Sequence, residues 1–423
     1  METPLTANIR PDGAYVDIRD YQKAGGYRGM RAALAMAPRE VQEVVKRSNL
    51  RGRGGAGFPT GMKWSFVPMG EGAPRPKYLV VNADEKEPGA MKDRLLLEGD
   101  AHQIVEGAAI AAYAIEAEVA YIFLRKEYRL AAERLERAIA EARAGGLLGE
   151  GVAGSSYSLE MHVHMSAGRY MCGEESALLN SLEGGRAIPR SKPPFPQVSG
   201  LWGMPTIVNN AETVCNLPHI LSKGWEWYRT LSSSADSGTK IYGVSGRVRA
   251  PGLWELPMGT PLRELIFGKA GGMREGLRFR GVLPGGGSTR ILTEASLEVA
   301  MDFDSVAKAG SRLGTGTLIV MDDGTCPVGM LLSLERFFAR ESCGWCTPCR
   351  EGLPWVVRTL EALERGAGEP QDIAVLERHA RLLGPGGTLC LLAPGAMEPL
   401  ASALSHFRDD FERHVKEKRC PWK

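Results

Sequence analysis

The sequence predicts an α/β protein: a Rossmann-like open sheet domain, followed by a β-grasp (ubiquitin-like) domain and a C-terminal four-helix bundle. Between residues 77 and 184, apolar strand-like runs alternate with helical runs, which is typical of a doubly wound sheet. Arg249–Gly252 lies between two strand-like runs and indicates a hairpin. From Val328 onward, apolar residues recur every three or four positions through four segments, which predicts packed helices.

Length and composition narrow the class of protein. The net charge of +2 gives no field that favours nucleic acid or a membrane surface. The apolar stretches are too short to span a bilayer, and the N-terminus lacks the basic-then-apolar pattern of a secretion signal. We therefore expect a cytoplasmic protein. The 423 residues divide into an N-terminal segment with a glycine-rich loop (1–70), an α/β domain (71–236), a β-grasp domain (237–326) and a helical bundle with a metal site (327–423).

The individual elements follow from the period of the apolar residues. Continuous or alternating apolar runs predict strands, and spacings of three and four predict helices. The predicted strands are Tyr78–Val81, Ala120–Leu124, Ser158–Met165, Lys240–Val248 and Leu253–Glu255; the predicted helices are Val41–Ser48, His102–Glu118, Glu127–Ala144, Glu174–Leu182, Pro261–Phe267, Gly329–Arg340, Gly352–Arg365, Asp372–Leu383 and Ala396–His414.

A glycine-rich loop at residues 51–61 precedes the first predicted strand, so it does not match the dinucleotide-binding fingerprint. The same physics applies, because glycines let backbone N–H groups approach a phosphate or a flavin ring. Lys63 can neutralise a pyrophosphate, and Phe58 and Phe66 can stack on an aromatic ring. The alternative is a set of ordinary turns with nearby aromatics.

Polar groups also follow the strands, where open α/β sheets bind ligands. Asn82–Gly89 carries three carboxylates and an amide, and its alternative role is a solvated turn that caps a helix. Arg169–Ser176 opens a helix, where Glu174 or Glu175 can act as a cap. Residues 186–196 form a stiff, basic, proline-rich segment that is either a lid over phosphates or a docking arm for a partner.

Three cysteines at two-residue spacings, Cys343, Cys346 and Cys349, indicate an iron–sulfur cluster. Cys390 lies in a second interhelical loop and is our candidate for the fourth ligand. A zinc site is the alternative, although zinc sites more often use two separated pairs or mixtures of cysteine and histidine. The remaining cysteines are expected to be small buried apolar residues: Cys172, Cys215, Cys326 and Cys420.

Taken together, these sequence motifs resemble those of one family, the NADH-binding flavoprotein (F) subunits of respiratory complex I, the bacterial NADH–quinone oxidoreductase. The similarity covers nearly the whole chain from about Tyr27 onward. Two positions look less typical, because Lys86 carries a charge between the carboxylates and Met91 replaces an expected aromatic residue. The matching stretches are Gly52–Phe66, Asn82–Arg94, Gly168–Pro196, Val208–Thr213 and Glu341–Arg350.

The resemblance implies one FMN, one [4Fe–4S] cluster and NAD(H) as substrate. It also implies partner subunits, among them a [2Fe–2S] thioredoxin-like subunit and a large iron–sulfur subunit, and a peripheral location on the cytoplasmic side of the inner membrane. The residues expected to hold FMN are Gly52, Arg53, Gly54, Gly55, Gly57, Asn82, Asp84, Gly173, Glu174, Val208, Asn209, Asn210 and Thr213, and Glu85 is a further expected cofactor-binding residue. Phe58, Phe66 and Phe195 are expected to sandwich the adenine of NADH, and Lys63, Glu87 and Glu175 to contact the rest of it. The residues expected to ligate the cluster are Cys343, Cys346, Cys349 and Cys390.

The resulting hypothesis is an electron-input subunit that transfers a hydride from NADH to FMN and passes electrons singly to the cluster. No catalytic acid or base is required, and no Ser/His/Asp triad is readable in the sequence. The first alternative is the diaphorase subunit of an NAD-linked hydrogenase or formate dehydrogenase, which often carries further cysteine-rich domains. The second, from another class, is a non-catalytic metal-binding scaffold.

Overall fold

The computed structural model describes residues 2–423 and divides the chain into two compact units. The first unit contains the residues up to Lys86, then Met91–Ile241 and Glu255–Thr260. The second contains Glu87–Ala90, Tyr242–Trp254 and Pro261–Lys423. Among residues 2–423, no helix combines the length and apolar character needed to cross a lipid bilayer.

A four-stranded, fully parallel sheet organises the first unit. Its spatial order is β3-β2-β1-β4, so the strand order reverses beside β1. Neighbouring strand ends at such a reversal are where open α/β sheets bind ligands. β1, β2 and β4 are largely buried, which explains the continuous apolar runs in β1 and β2, whereas the edge strand β3 is largely exposed or partly exposed. The strand bounds are β1 Tyr78–Ala83, β2 Val119–Leu124, β3 Glu160–Met165 and β4 Thr206–Asn210.

The helices of the first unit confirm the predicted alternation and add short helices at its N-terminal end. The most buried of them is α6, whose Ala- and Ile-rich sequence leaves almost no exposed face. The helix bounds are α1 Ile18–Lys23, α2 Arg28–Leu34, α3 Pro38–Arg47, α4 Thr60–Ser65, α5 Lys92–Gly99, α6 Ala101–Ala114, α7 Arg129–Ala144, α8 Glu175–Leu182, α9 Ala211–Cys215, α10 Leu217–Lys223 and α11 Trp225–Thr230.

Strand β4 was not predicted from the sequence. Its five residues contain only two apolar side chains, and its last two, Asn209 and Asn210, are typical of loops. It is a strand because Leu79, Val80 and Val81 of β1 lie beside it and supply the hydrogen-bonding partners. Tertiary pairing therefore overrides a weak local preference, and it aligns Asn82 with Asn210 at the sheet edge.

A second four-stranded sheet, of order β6-β5-β8-β7, has a parallel central pair, β5 and β8, while β7 runs antiparallel to β8. The predicted hairpin around Arg249–Gly252 is confirmed, since β5 and β6 are neighbours on either side of it. The predicted helix at Pro261–Phe267 is confirmed from residue 262 onward, but it has π-helical hydrogen bonding over Glu264–Lys269. The strand bounds are β5 Thr239–Gly246, β6 Gly252–Pro257, β7 Phe279–Leu283 and β8 Thr317–Asp322.

The C-terminal region of the second unit is helical, as predicted, but the last predicted helix is wrong in one respect. The segment predicted as one helix, Ala396–His414, belongs to two helices that meet at Phe407. Phe407 leaves the helical conformation (φ −130°, ψ 32°) and its ring is buried beneath the guanidinium of Arg280. The helix bounds are α12 Phe303–Lys308, α13 Pro327–Glu341, α14 Leu353–Glu364, α15 Pro370–Leu382, α16 Leu392–His406 and α17 Arg408–Glu417.

Candidate cofactor sites

A buried acidic group lies just beyond the carboxyl end of β1. Both carboxylate oxygens of Asp84 are buried and accept no hydrogen bond. Burial raises the pKa of Asp84 to about 6, because the neighbouring Lys86 ammonium and the nearby Ser166 hydroxyl offset only part of the loss of hydration. Lys86 Nζ lies 3.8 Å from Asp84 Oδ1 and 3.5 Å from Glu127 Oε2. A buried acceptor without a hydrogen-bond donor is the feature expected where a bound group supplies hydroxyl or N–H donors.

Two amides at the end of β4 are held in fixed orientations beside this group. Asn209 Oδ1 accepts a hydrogen bond from the indole of Trp64 at 2.9 Å. Asn210 Oδ1 accepts from the backbone N–H of Glu212 at 3.0 Å and so caps α9. A Cβ at Gly54 would lie 3.1 Å from Asn210 Cβ. The glycine-rich loop therefore packs directly against these strand ends.

The glycine-rich loop is closed by its own backbone. Gly52 N–H donates to the Phe58 carbonyl at 2.9 Å, and Arg51 Nε donates to the Gly57 carbonyl at 2.7 Å. Gly55 and Gly57 have φ angles of 126° and 65°, a conformation that favours glycine. The result is a compact, pre-formed cradle of backbone groups in the loop predicted to hold a phosphate or flavin.

The side chain of Arg53 anchors this loop to the interior of the first unit. It is fully buried, and its Nη2 donates to the Tyr228 hydroxyl and to the carbonyls of Ser237 and Thr239. Its backbone N–H donates to Thr213 Oγ1 at 2.8 Å. The side chain thus positions the loop through Nη2, while its Nε and Nη1 are buried without a hydrogen-bond partner.

Four charged side chains converge above the strand ends. Lys63 Nζ lies 2.7 Å from Glu175 Oε2 and 2.9 Å from the Val208 carbonyl. Lys192 Nζ lies 3.0 Å from a carboxylate oxygen of both Glu174 and Glu175. Burial alone would raise the pKa of Glu175, but the Lys63 ammonium outweighs it and the pKa is lowered. Sequence analysis did not single out Lys192, although it identified the basic segment 186–196 as either a lid over phosphates or a docking arm for a partner.

Glu174 performs the capping role that the sequence left open. Its Oε2 accepts from the N–H groups of Ser176 and Ala177, at 2.9 and 2.8 Å, at the start of α8. A Cβ built on the preceding Gly173 meets no atom within 4 Å. The backbone at this helix start is therefore open to a close approach.

The three aromatic side chains predicted to contact adenine are all exposed. Phe58 is 48% exposed, and Phe66 and Phe195 are each 53% exposed. Large exposed aromatics are costly in water unless a partner covers them, so these rings are suited to stacking on a ligand ring. Met91, at the position where an aromatic was expected, is 47% exposed.

The acidic turn after β1 is divided between the two units. Glu85 is buried, and its oxygens accept from the N–H groups of Asp93 and Arg94 at 3.1 and 3.2 Å, so it caps α5. Burial raises the pKa of Glu85 to about 7. Glu87 belongs to the second unit, where its Oε1 accepts from Ser288 N–H at 2.7 Å. The capping role considered for this turn is thus correct for Glu85, although the side chain is buried rather than solvated.

Sequence analysis missed a buried charge cluster beneath the strand ends. Glu212 Oε2 lies 2.8 Å from Lys92 Nζ and 3.1 Å from Lys240 Nζ, and all three side chains are at most 1% exposed. Burial would raise the pKa of Glu212, but Lys240 and Lys92 lower it to about 2. Lys92 has a second carboxylate partner in Asp93, at 2.6 Å, whereas burial lowers the pKa of Lys240 to about 8. The cluster supports α9, which follows Asn210 in the chain.

The cysteine loop of the second unit brings four thiols together. Burial raises the pKa of the Cys349 thiol to about 12, and Cys346, Cys390 and Cys343 act in the same direction as electrostatic neighbours. The guanidinium of Arg350 ties the loop together by donating to the carbonyls of two preceding loop residues. None of the eight cysteines, all of which lie within residues 2–423, forms a disulfide. Four convergent thiols are the donor set that an iron–sulfur cluster requires.

The prediction that the remaining cysteines are buried is confirmed for Cys172, Cys215 and Cys420, whereas Cys326 is only partly buried. Cys172 and Cys215 are fully buried in the first unit. Cys326 and Cys420 lie together in the second unit, with their Sγ atoms 3.7 Å apart, among polar side chains. They are 94 residues apart in sequence, so no local spacing could have indicated the pair.

Three known families match successive parts of the chain. Residues 45–219 match the Nuo51 FMN-binding domain, residues 241–292 match the SLBB domain, and residues 329–414 match the NADH-ubiquinone oxidoreductase-F iron-sulfur binding region. The first match contains the glycine-rich loop, the strand ends and the cluster of four charged side chains above them. The third contains the four convergent cysteines. The predicted cofactors, FMN and a [4Fe–4S] cluster, are confirmed by these matches.

Solved structures of related fold include NAD⁺-reducing [NiFe]-hydrogenase in two states. The air-oxidised form superposes with a TM-score of 0.79 at 34% identity, over 89% of this chain and 63% of that chain. The H₂-reduced form gives a TM-score of 0.80 at 34% identity, over 92% of this chain and 64% of that chain. The chain therefore spans less than two thirds of the hydrogenase chain that it matches.

Among curated relatives, the chain is 55% identical to the F subunits of NADH-quinone oxidoreductase from Escherichia coli and Salmonella typhimurium, over 98% of this chain and 93% of each relative. It is 52% identical to an F subunit of the same enzyme from Rhizobium meliloti over the full length of both chains. The residues that carry the candidate sites lie within these matches. The chain belongs to the family of NADH-quinone oxidoreductase F subunits.

Proposed function

We propose that this chain is the electron-input subunit of an NADH–quinone oxidoreductase, which takes a hydride from NADH onto FMN and releases electrons singly into a [4Fe–4S] cluster. The observation that carries the proposal is that both carboxylate oxygens of Asp84 are buried and receive no hydrogen bond. Asp84 lies beside the glycine-rich loop, in the part of the chain that matches an FMN-binding domain. When bound, FMN supplies the conversion between two-electron and one-electron chemistry.

Different groups of the first unit are suited to different parts of FMN. The backbone N–H groups of the glycine-rich loop are donors suited to a phosphate. Asp84, whose two oxygens accept no hydrogen bond from the protein, is suited to accept hydrogen bonds from hydroxyl groups. The residues that we propose for FMN are Gly52, Arg53, Gly54, Gly55, Gly57, Asn82, Asp84, Glu85, Gly173, Glu174, Val208, Asn209, Asn210 and Thr213.

We assign the nucleotide substrate to the exposed aromatics and the charged cluster. Phe58, Phe66 and Phe195 offer exposed faces for adenine. Lys63 and Glu175 hold each other at 2.7 Å and are partly exposed, so each can exchange its partner for a polar group of NADH. We also propose Glu87 as a residue that contacts NADH. These side chains bind and orient the substrate, and none of them has to take up or release a proton during hydride transfer.

For the cluster we propose Cys343, Cys346, Cys349 and Cys390 as ligands. The first three share one loop, and the fourth enters from the loop that precedes α16. The Cys390→Ser variant should lose its bound iron and sulfide while retaining FMN, because a hydroxyl is a poor substitute for a thiolate ligand. Iron, sulfide and flavin contents would be measured on anaerobically purified protein. Cys215→Ser, in the first unit, is the matched control, and full iron content in Cys390→Ser would exclude Cys390 as a ligand.

The proposed function is tested by the absorbance spectrum of the anaerobically purified chain before and after addition of NADH. We expect a flavin spectrum with a broad iron–sulfur shoulder that bleaches on addition of NADH. A flavin that stays oxidised in NADH would contradict the assignment of the electron donor. A colourless protein that cannot be reconstituted with FMN, iron and sulfide would favour the scaffold alternative.

The likeness to the hydrogenase chain supports one second candidate, the diaphorase subunit of an NAD-linked hydrogenase. The curated relatives favour the first candidate, because their identity is higher and the alignment covers 93% or more of their length. Purification of the native complex distinguishes the two. Recovery with quinone-reductase subunits supports the first candidate, and recovery with a nickel-containing subunit supports the second.

We further propose finer assignments for architecture, partners and location. The order β6-β5-β8-β7 with a parallel central pair supports a β-grasp domain, and the packing of α13–α17 supports a helical bundle around the cluster. A [2Fe–2S] thioredoxin-like subunit and a large iron–sulfur subunit are the proposed partners. Because quinones are apolar, the complex must meet a membrane, and we place this chain on its cytoplasmic side, attached through those partners.

A further inference from the structure

A second group of potential metal ligands lies in the helical region of the second unit. One ligand atom from each of Cys326, Glu364, His414 and Cys420 lies within 4.8 Å of all the others. None of these residues belongs to the four cysteines proposed for the iron–sulfur cluster. Three of the four residues are buried and Cys326 is partly buried. We propose that these four side chains bind one Zn²⁺ ion.

The spacing of the ligand atoms fits a tetrahedral zinc site. With Zn–S bonds of about 2.3 Å and Zn–N or Zn–O bonds of about 2.0–2.1 Å, tetrahedral ligand atoms lie about 3.3–3.8 Å apart. The two sulfur atoms are 3.7 Å apart, and Cys326 Sγ is 3.4 Å from His414 Nε2. Glu364 Oε1 is 3.5 Å from His414 Nε2 and 3.1 Å from Cys326 Sγ. Three of these four distances lie in the tetrahedral range and the last is slightly shorter, so the four side chains are close to the spacing that a zinc ion requires.

The surrounding groups prepare each ligand for a metal. His414 Nδ1 lies 2.6 Å from the Asp410 carbonyl, so Nδ1 carries the proton and Nε2 keeps its lone pair for coordination. Cys326 is the N-cap of α13, and Gly329 N–H donates to its sulfur at 3.2 Å. Burial and the Glu364 carboxylate raise the pKa of this thiol, so a bound cation would be needed to hold it as a thiolate. A histidine oriented by a backbone carbonyl and a thiolate at a helix N-terminus are both typical of metal sites.

The space around the four side chains and their total charge also suit a zinc ion. A Cβ at position 329 would lie 3.0 Å from Glu364 Oε1, so Gly329 leaves room for the carboxylate to approach the sulfur. Lys423 Nζ lies 2.5 Å from the other oxygen, Glu364 Oε2. Two thiolates, one carboxylate, a divalent cation and this ammonium sum to zero charge. A neutral assembly is the arrangement that a largely buried site requires.

Four protein ligands leave no open position, which is typical of a structural zinc site rather than a catalytic one. Cys326 precedes α13, Glu364 ends α14, His414 lies in α17, and Cys420 belongs to the C-terminal segment. The ion would therefore link two helix ends to the last helix and to the chain terminus. Sulfur and nitrogen ligands with one carboxylate suit zinc better than magnesium or calcium.

The test is the zinc content of the full chain, purified with its FMN and cluster and treated with a chelator. We expect about one zinc per chain, in addition to the cluster iron. Cys326→Ser and His414→Gln should each lose it while keeping FMN and iron, which shows that they fold. His406→Gln, which changes an exposed histidine of the same region, should keep it. Absence of zinc from the wild-type chain even after incubation with Zn²⁺, or full zinc in Cys326→Ser, would overturn the proposal.

X-ray absorption at the zinc edge tests the same proposal on the wild-type chain alone. We expect two sulfur neighbours at about 2.3 Å and two nitrogen or oxygen neighbours at about 2.0–2.1 Å. A shell of four sulfurs would place the zinc in the iron–sulfur loop and overturn the proposal. A disulfide between Cys326 and Cys420 in the anaerobically purified protein, detected by mass spectrometry, would also overturn it.

Discussion

At the scale of single residues, the structure separates buried side chains whose acceptors already receive backbone hydrogen bonds from those whose acceptors do not. Asp84 and Glu85 are adjacent and both are buried, yet only Glu85 accepts hydrogen bonds from backbone donors. The two oxygens of Asp84 have no such donors, which makes this residue a candidate for contact with a cofactor. Residue type and sequence position alone do not distinguish the two.

Glu335 in α13 carries the clearest pH-dependent prediction. Its carboxylate is fully buried without a hydrogen-bond partner, and burial raises its pKa well above the ordinary 4.5. The folded state therefore retains a proton that the unfolded state releases above pH 4.5, so this contribution to stability falls as pH rises toward the folded pKa. Glu335→Gln should remove this loss, with a relative gain of up to about 1.4 kcal/mol per pH unit.

Melting temperatures of the wild type and Glu335→Gln between pH 5 and 7 measure this effect. The two curves should diverge with rising pH, and the variant should be the flatter. Glu294→Gln, which alters an exposed carboxylate of the same unit, should follow the wild type. Parallel curves for the wild type and Glu335→Gln would mean that Glu335 does not titrate as its burial requires.

Glu175→Gln tests the assignment of the charged cluster to NADH. The amide keeps the size of the side chain but loses the ion pairs with Lys63 and Lys192. Because the residue positions substrate and transfers no proton, we expect the KM for NADH to change by up to about tenfold, which is about 1.4 kcal/mol, with kcat retained. The exposed Glu150→Gln serves as the control. A large loss of flavin reduction at saturating NADH would argue for a chemical role instead.

At the scale of elements, buried charges hold the short helix α9 at the end of β4. Glu212 is the carboxylate shared by Lys92 and Lys240. It also accepts the backbone N–H of Ile241 at 2.9 Å, which ties the start of β5 to α9. The position of Asn209 and Asn210 at the sheet edge therefore depends on a network that lies outside the predicted site.

Glu212→Gln should be strongly destabilising, because it leaves two buried ammonium groups with one carboxylate fewer. Breaking one partner of a buried ion pair costs about 3–5 kcal/mol. Denaturant unfolding of the purified chain measures the loss, and FMN binding should weaken with it. Glu226→Gln, an exposed glutamate of α11, should lie within about 0.5 kcal/mol of the wild type. A small effect of Glu212→Gln would show that the network is relaxed or hydrated.

At the scale of the whole molecule, each compact unit carries one redox cofactor, so cofactor binding should contribute to stability. A ligand that binds only the folded state stabilises it by about 2.7 kcal/mol at a concentration of one hundred times its Kd. The melting temperature of the FMN-depleted chain should therefore rise with added FMN. Riboflavin, which lacks the phosphate, should have a smaller effect, and an equal effect would argue against phosphate binding by the glycine-rich loop.

Much of the fold could be predicted because its signals are local. The apolar runs of β1 and β2, the helix stop after α7 and the turn between β5 and β6 each depend on residues within a few positions of one another. The spacing of Cys343, Cys346 and Cys349 is equally local, and the iron–sulfur cluster that it predicted is confirmed by the family match over residues 329–414. Local patterns thus determined the class of fold and the kind of cofactor.

The tertiary structure decided what depends on residues far apart in sequence. Strand β4 exists because β1 pairs with it, and the last predicted helix is interrupted because Phe407 is buried against the rest of its unit. Cys326 and Cys420 meet across 94 residues, and Lys92 and Lys240 share one carboxylate across 148 positions of chain numbering. Sequence by itself therefore determined the periodicity of the elements and the cofactor loops. The partners of each buried charge and thiol were decided only by packing, because burial makes an unpaired polar group costly wherever its partner lies in the chain.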